Sequence, residues 1–192
     1  MEMDVKMKDI VIPNKNEKQF IEIAEKLGYK ELCFLYGIKD FKDKSNEKYD
    51  TKLDISFGII CLPKECHKAK EQSKLVVVKA DDEVRQTIER YKPNIIYDFE
   101  NIPSIIHDFL HHRNSGMNHV LAKLCAKNKI SVGFSFSSVL NGNRTKLLGR
   151  IEQNIKLCKK AKCSIVIGSF TSDPYEMRNM KDIIGLFKGI GL

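Results

Sequence analysis

Apolar positions along this chain fall into two alternating textures. Short runs that are apolar at nearly every position predict strands buried on both faces. These are Asp9-Ile10-Val11-Ile12-Pro13, Leu32-Cys33-Phe34-Leu35-Tyr36, Leu53 to Cys61, Lys74-Leu-Val-Val-Val-Lys79, Asn94-Ile-Ile-Tyr-Asp98, Ile130-Ser-Val-Gly-Phe-Ser135 and Cys163-Ser-Ile-Val-Ile-Gly168. Between them, apolar residues recur every three or four positions, the period of a helix with one buried face. Phe20, Ile21, Ile23, Ala24 and Leu27 predict a first helix opened by Asn16 and stopped by Gly28. Residues 39–52 are highly charged around Phe41 and Tyr49 and form a connecting helix or loop, and a weakly amphipathic segment runs from Pro63 to about Ser73. Short helices are expected from Glu83 to Arg90 and from Pro103 to His111, the latter with Ile105, Ile106, Phe109 and Leu110 inward. A long basic helix from Thr145 to Ala161 buries Leu147, Leu148, Ile151, Ile155 and Cys158, and a last helical pattern passes through Ile183, Ile184 and Phe187.

Strand and helix in strict alternation argue for a parallel α/β fold. No glycine-rich nucleotide loop follows the first strand, so a TIM-barrel-like closure is preferred over an open sheet. Eight full units would need about 250 residues. With 192 residues the expected fold is a single α/β domain spanning 1–192, a small or incomplete parallel barrel of about seven strands.

One polar stretch interrupts this rhythm: His111-His112-Arg113-Asn114-Ser115-Gly116-Met117-Asn118-His119. It leads into a helix whose buried stripe would be Met117, Val120, Leu121, Leu124 and Cys125, with Asn118, Lys123 and Lys127 toward solvent. Ser115 or Asn114 can cap that helix, and Gly116 lets backbone amides approach a ligand. An arginine beside a helix N-terminus suits phosphate, although an ordinary capped loop has the same pattern.

Charge sharpens the picture. Residues 1–100 hold 19 Lys and Arg against 20 Asp and Glu, whereas residues 101–192 hold 14 against 5. Positive charge confined to one half points to a polyanion or an acidic protein surface. Aromatic residues make up 8% of the chain and Trp is absent, which gives little support to a base-stacking platform and more to phosphate and folded-RNA contacts. No run reaches the roughly 18 apolar residues of a membrane span, and Met1 to Lys8 lacks the apolar run of a signal peptide. A soluble, cytoplasmic protein is the expectation.

Six cysteines, at 33, 61, 66, 125, 158 and 163, include two pairs with four intervening residues. That spacing can serve zinc, but most of them fall in strand-like or buried helical positions, where a small thiol packs as a hydrophobe. His107 and His111 stand four apart without the adjacent Glu of a zinc helix, and no catalytic triad can be ordered from the sequence. In a parallel barrel, functional groups gather at the carboxyl ends of the strands. There the sequence offers Asp98 and Glu100, Arg113 to His119, Ser135 to Arg144, and Ser169 to Arg178, which together could form a phosphate-binding rim. Asp173-Pro174-Tyr175-Glu176 reads as a capping box, and Arg144, Lys146 and Arg150 head the long helix.

The segment His112-Arg-Asn-Ser-Gly-Met-Asn-His-Val-Leu-Ala122 closely resembles the signature of the ribonuclease P protein component 3 family, the archaeal counterpart of the thirty-kilodalton subunit of eukaryotic nuclear ribonuclease P. The resemblance continues through residues 130–135, Arg150-Ile-Glu-Gln-Asn-Ile-Lys-Leu-Cys158 and Gly168-Ser-Phe-Thr-Ser-Asp-Pro-Tyr-Glu-Met-Arg178. It implies a TIM-barrel-like protein that binds the catalytic RNA of ribonuclease P and supports removal of 5′ leaders from precursor tRNA. Component 2 and the other protein subunits would be partners. Catalysis would reside in the RNA with its Mg²⁺ ions, and this chain would supply no catalytic residue, metal ligand or cofactor of its own. On that basis Arg113, Asn114, Asn118, Lys123, Arg144, Arg150 and Arg178 are the expected RNA-facing groups, Arg being suited to bidentate phosphate contact. The family is also similar in fold to the polymerase-and-histidinol-phosphatase barrels, so a metal-dependent phosphoesterase is the alternative. It would need a His-x-His pair after the first strand, where this chain has Ile12-Pro13-Asn14. A basic scaffold for an acidic partner is the third reading.

Overall fold

A computed structural model of the chain describes residues 8–104, 107–108 and 110–192. Its order is β1 (Lys8–Val11), α1 (Glu17–Lys26), β2 (Glu31–Tyr36), α2 (Ile38–Lys44), β3 (Asp54–Ile60), α3 (Cys66–Gln72), β4 (Val76–Lys79), α4 (Val84–Gln86), β5 (Ile95–Tyr97), α5 (His119–Lys127), β6 (Ser131–Ser135), α6 (Phe136–Asn141), α7 (Arg144–Ala161), β7 (Ile165–Gly168) and α8 (Met180–Gly189). Among the described residues, the seven strands form one sheet in sequence order, every neighbouring pair parallel. The sheet curls into a nearly closed barrel.

Alternation along each strand explains the continuous apolar runs. Leu32, Phe34 and Tyr36 of β2 face the helices, while Cys33 and Leu35 point into the barrel. β4 divides likewise, with Val76 and Val78 outward and Val77 inward. Inside, Ile10, Cys33, Leu35, Val77, Ile95, Tyr97 and Phe170 fill the lumen, so the barrel is a packed core. Tyr97 and Phe170 stack at 4.6 Å and 8°. Gly133 of β6 makes room for them, since a Cβ there would lie 2.7 Å from that of Tyr97.

The seam between β1 and β7 closes through a carboxylate. Asp9, fully buried, accepts from the Ser169 backbone N–H and hydroxyl, both at 2.6 Å. Beyond it, the Phe170 N–H donates to Ile10 O and the Ile12 N–H to Thr171 O, both at 2.8 Å. Burial pushes the Asp9 carboxyl above the usual carboxylate range against the pull of these bonds.

Several local expectations are corrected. The short helix expected from Glu83 to Arg90 is present over 84–91, but only Val84–Gln86 is α-helical and Thr87–Tyr91 is wound as a π-helix. The described residues of 103–111 are not helical, and Leu110 is 91% exposed instead of inward. Ile105, Ile106 and Phe109 lie outside the described residues. Asp108, in that segment, pairs with two arginines. His107 and His111 therefore do not share a helical turn. α5 starts at His119, and its cap is Asn118 instead of Ser115 or Asn114. Starting there leaves Val120 41% exposed, although Met117, Leu121 and Cys125 are buried as expected. α6 was not anticipated; Ser135 caps it by accepting from the Ser138 N–H.

Candidate nucleic-acid interface

The long helix α7 builds the site. Its buried face runs Leu147, Arg150, Ile151, Asn154, Ile155 and Cys158, so two polar residues one turn apart sit inside an apolar stripe. Both reach across to the chain between β5 and α5. The Arg150 guanidinium donates through Nε to Asp108 at 2.8 Å and through Nη1 to the Glu100 carbonyl at 2.9 Å. Asn154 Nδ2 donates to the Glu100 carboxylate at 2.7 Å and to Ser115 O at 2.9 Å. Gln153, adjacent on the helix, accepts from the Arg113 N–H at 3.1 Å. Its Nε2 donates to Arg113 O at 2.9 Å and to Ser115 Oγ at 2.7 Å. Residues at i, i+3 and i+4 thus hold the Asp108 side chain and the backbone at Arg113 and Ser115.

Asp108 is the electrostatic centre of that loop. It pairs with Arg150 and, at 3.0 Å, with Arg113, and its Oδ1 also accepts from the Asn114 N–H at 3.1 Å. Partial desolvation raises its pKa, but the hydrogen bonds from Arg150 and Arg113 outweigh it and hold the carboxyl below the ordinary value. Glu100 behaves oppositely. Complete burial pushes its carboxyl up to about 7, despite the stabilising bond from Asn154. Arg113 lies against Gly149, where a Cβ would fall 3.0 Å from the guanidinium Nε.

The seven expected RNA-facing residues divide accordingly. Arg113, half-exposed, and Asn114 stand together on the loop. Asn118 is exposed and caps α5, its Oδ1 accepting from the Val120 and Leu121 N–H groups at 2.9 Å. Lys123 and Arg144 are exposed on α5 and at the head of α7. Arg178 lies apart from this cluster: Nη1 donates to Tyr175 O and Met177 O, and its carbonyl accepts from Tyr29. Arg150 is the correction. At 3% exposure it is an internal brace, buried because Asp108 and the Glu100 carbonyl compensate its charge. Gln153 and Asn154 were missed, although polar residues within and beside the apolar period of α7 were the available signal; Glu100, expected at the phosphate rim, is instead buried against Asn154.

The expected phosphate rim is also redistributed. Asp98 and Glu100 are buried, as are Ser135, Ser169 and Thr171. Asp98 pairs with Lys79 at 3.1 Å and accepts from Asn101 and Ser138. The capping box is partial: Asp173 accepts from the Tyr175 N–H, whereas the Glu176 carboxylate turns to Thr171 and Asn141.

Between the 108–118 loop and the turn after β4 runs a groove of about 530 Å³. Val84, Ile102, Met117 and Leu157 give it an apolar floor. Asp81 and Asp82 from the turn after β4 line it together with His112, Arg113, Asn114 and Asn118. Chemically the lining offers cationic and amide donors beside two carboxylates. Among the described residues no group of three or more His, Cys, Asp or Glu side chains could hold a metal ion. At the barrel mouth the Lys79 ammonium occupies one oxygen of Asp98, a donor set ill suited to a metal-centred phosphoesterase. The cysteines are free thiols, Cys61 and Cys66 lying 3.9 Å apart. No helix among the described residues is long and apolar enough to cross a membrane.

Comparison with known proteins places this geometry. Over 84 residues, 42% of this chain, it is 32% identical to ribonuclease P protein component 3 of Methanococcus maripaludis strain C6, and so spans 36% of that relative's length. With the same protein of M. maripaludis strain S2 it shares 25% identity over 186 residues, 94% of this chain and 72% of the relative. A chain in the cryo-EM structure of archaeal ribonuclease P with mature tRNA superposes with a TM-score of 0.70 at 18% identity, covering 96% of this chain and 82% of that one. Histidinol phosphate phosphatase from Lactococcus lactis, complexed with zinc, L-histidinol and phosphate, superposes with a TM-score of 0.71 at 11% identity, covering 97% and 94%. Both likenesses describe the barrel. The family model for RNase P subunit p30 matches residues 5–192, and the chain belongs to that family.

Proposed function

We propose that this chain is a protein subunit of ribonuclease P that binds the catalytic RNA and supports 5′-leader removal from precursor tRNA. The observation that carries the reading is the clamped loop that ends at Asn118 and opens an acid-free stretch directly after Asp108. From residue 109 to 151 there is no Asp or Glu, while Arg113, Lys123, Lys127, Lys129, Arg144, Lys146 and Arg150 fall within it. α7 holds the loop rigid, and Arg113, Asn114, Asn118, Lys123 and Arg144 meet phosphate and 2′-hydroxyl groups. The chain itself is not catalytic: Mg²⁺ belongs with the RNA, and the protein stabilises the active RNA fold. Component 2 and the other protein subunits are its partners, in the cytoplasm.

Reconstitution tests this. Precursor-tRNA cleavage is followed with ribonuclease P RNA and component 2, adding wild-type chain or Arg113→Ala. The reading expects stimulation by wild type, a weaker effect of the variant that high salt also produces, and no cleavage without RNA. Cleavage by protein alone would sink it. Equal stimulation by both proteins would move the working surface to a protein contact.

A further inference from the structure

We infer that the groove between the 108–118 loop and the turn after β4 seats one unstacked guanine nucleotide of the bound RNA. The assignment rests on the RNA-binding reading above and specifies its ligand. A surface that meets only phosphate needs cations alone, yet here two carboxylates line the same groove as an arginine, histidines, asparagines and apolar side chains. Each component has a match in a nucleotide. Val84, Ile102 and Met117, buried save for the little surface they give the groove, offer apolar contact for a base. Asp81 Oδ1 accepts from the Glu83 N–H at 3.1 Å, and Asp82 Oδ1 from the Ser104 N–H at 3.3 Å. The second oxygen of each makes no hydrogen bond among the described residues.

An ionised carboxylate is an acceptor only, so it repels phosphate and selects donors. Guanine alone presents two adjacent donors, N1–H and N2–H, on its pairing edge. Uracil flanks its single N–H with two carbonyls, which the carboxylates disfavour. Arg113, braced by Asp108 and by Gln153 through its backbone, lines the same groove and supplies the cation for the nucleotide's phosphate. Single-stranded bases read on their pairing edge are the usual mode of sequence-specific RNA recognition. The cavity lies within the roughly 300–1,000 Å³ of small-ligand sites. A peptide fits less well, because a basic segment meets Arg113 and an acidic one meets the aspartates.

The test is a titration of the full chain with GMP, AMP, CMP and UMP, followed by NMR at the amides of Ser104, Asn114, Gly116 and Asn118, and repeated on Asp82→Asn. Asp82 is exposed and Asn keeps an acceptor for Ser104, so the fold is retained. GMP should move these amides at roughly tenfold lower concentration than UMP, the discrimination expected of a paired base contact. D82N should erase that gap. An equal response to all four nucleotides, or a uniform gain in D82N, would reduce the groove to a phosphate contact and overturn the proposal. No response to any nucleotide, with shifts on adding component 2, would make it a protein seat and overturn it equally. Binding of wild-type chain to ribonuclease P RNA, measured alongside, reports separately on the parent reading.

Discussion

Substituting Gly149 by alanine adds one methyl group to α7 at the point where Arg113 lies across it. The two consequences have opposite signs. Replacing a mid-helix glycine with alanine favours the helix by about 1 kcal/mol, which for a chain of this size raises Tm by roughly 2–4 °C. The new Cβ would stand 3.0 Å from Arg113 Nε and 3.4 Å from both Cζ and Nη2. The guanidinium must then give way by a few tenths of an ångström, loosening its 3.0 Å bond to Asp108. A charge-assisted contact is worth about 1.5–3 kcal/mol when fully lost. Partial displacement should weaken binding to folded ribonuclease P RNA by roughly threefold to tenfold. Calorimetry and filter binding at fixed salt measure the pair. A raised Tm with unchanged affinity would refute the placement of Arg113 as an RNA contact. A lowered Tm would show that the crowding falls on the backbone of the loop instead of on a mobile guanidinium.

Five further substitutions, at four residues, probe the scaffold. Glu100 has a folded pKa pushed up to about 7 from an unfolded value near 4.5, so the folded state binds more protons and stability falls as pH rises through that window. The loss is on the order of 2 kcal/mol between pH 5 and 8, and Glu100→Gln should flatten it; an unchanged slope in urea melts would contradict the burial argument. Asn118→Ala removes the acceptor for two helix amides and should cost about 1 kcal/mol. Asn118→Asp keeps the cap but should weaken RNA binding by roughly threefold to tenfold at low salt, so unaltered RNA affinity in the aspartate variant would leave Asn118 a cap and nothing more. Asp9→Ala strands the Ser169 amide at the barrel seam and should cost about 3 kcal/mol or more, whereas Ser169→Ala keeps the backbone bond and should cost about 1 kcal/mol; equal losses in chemical denaturation would refute the seam.

The barrel was legible because its strands are buried on both faces. Leu32 to Tyr36 can be continuously apolar only if helices cover one side and a packed lumen the other, and β2 divides its side chains that way. The helix after the basic loop was legible from the spacing of Leu121 and Cys125, but its starting point depended on which of several polar residues turned back to cap it. The clamp was not legible. Arg150 and Asp108 are 42 positions apart, and periodicity carries no information about which polar groups meet across such a distance. Read alone, Arg150 is one more basic residue on a basic helix; its place in the stripe with Leu147, Ile151 and Asn154 is what sets it apart. Residues 103–111 misled for the converse reason: their apolar spacing mimics a helix, while Asp108 among them is held by ion pairs to Arg113 and Arg150.

The seam bears on how the chain folds during synthesis. Asp9 and Ser169 are 160 positions apart, so β1 emerges from the ribosome long before the groups that complete its outer edge. Until then the growing sheet carries an open strand edge, the kind of surface on which nascent chains associate wrongly. β1 is only four residues long, which limits what a stray strand can gain by pairing there. Variants that shorten or destabilise the last strand and α8 should therefore reveal themselves first as poor yield of soluble protein, before any change in RNA binding can be measured.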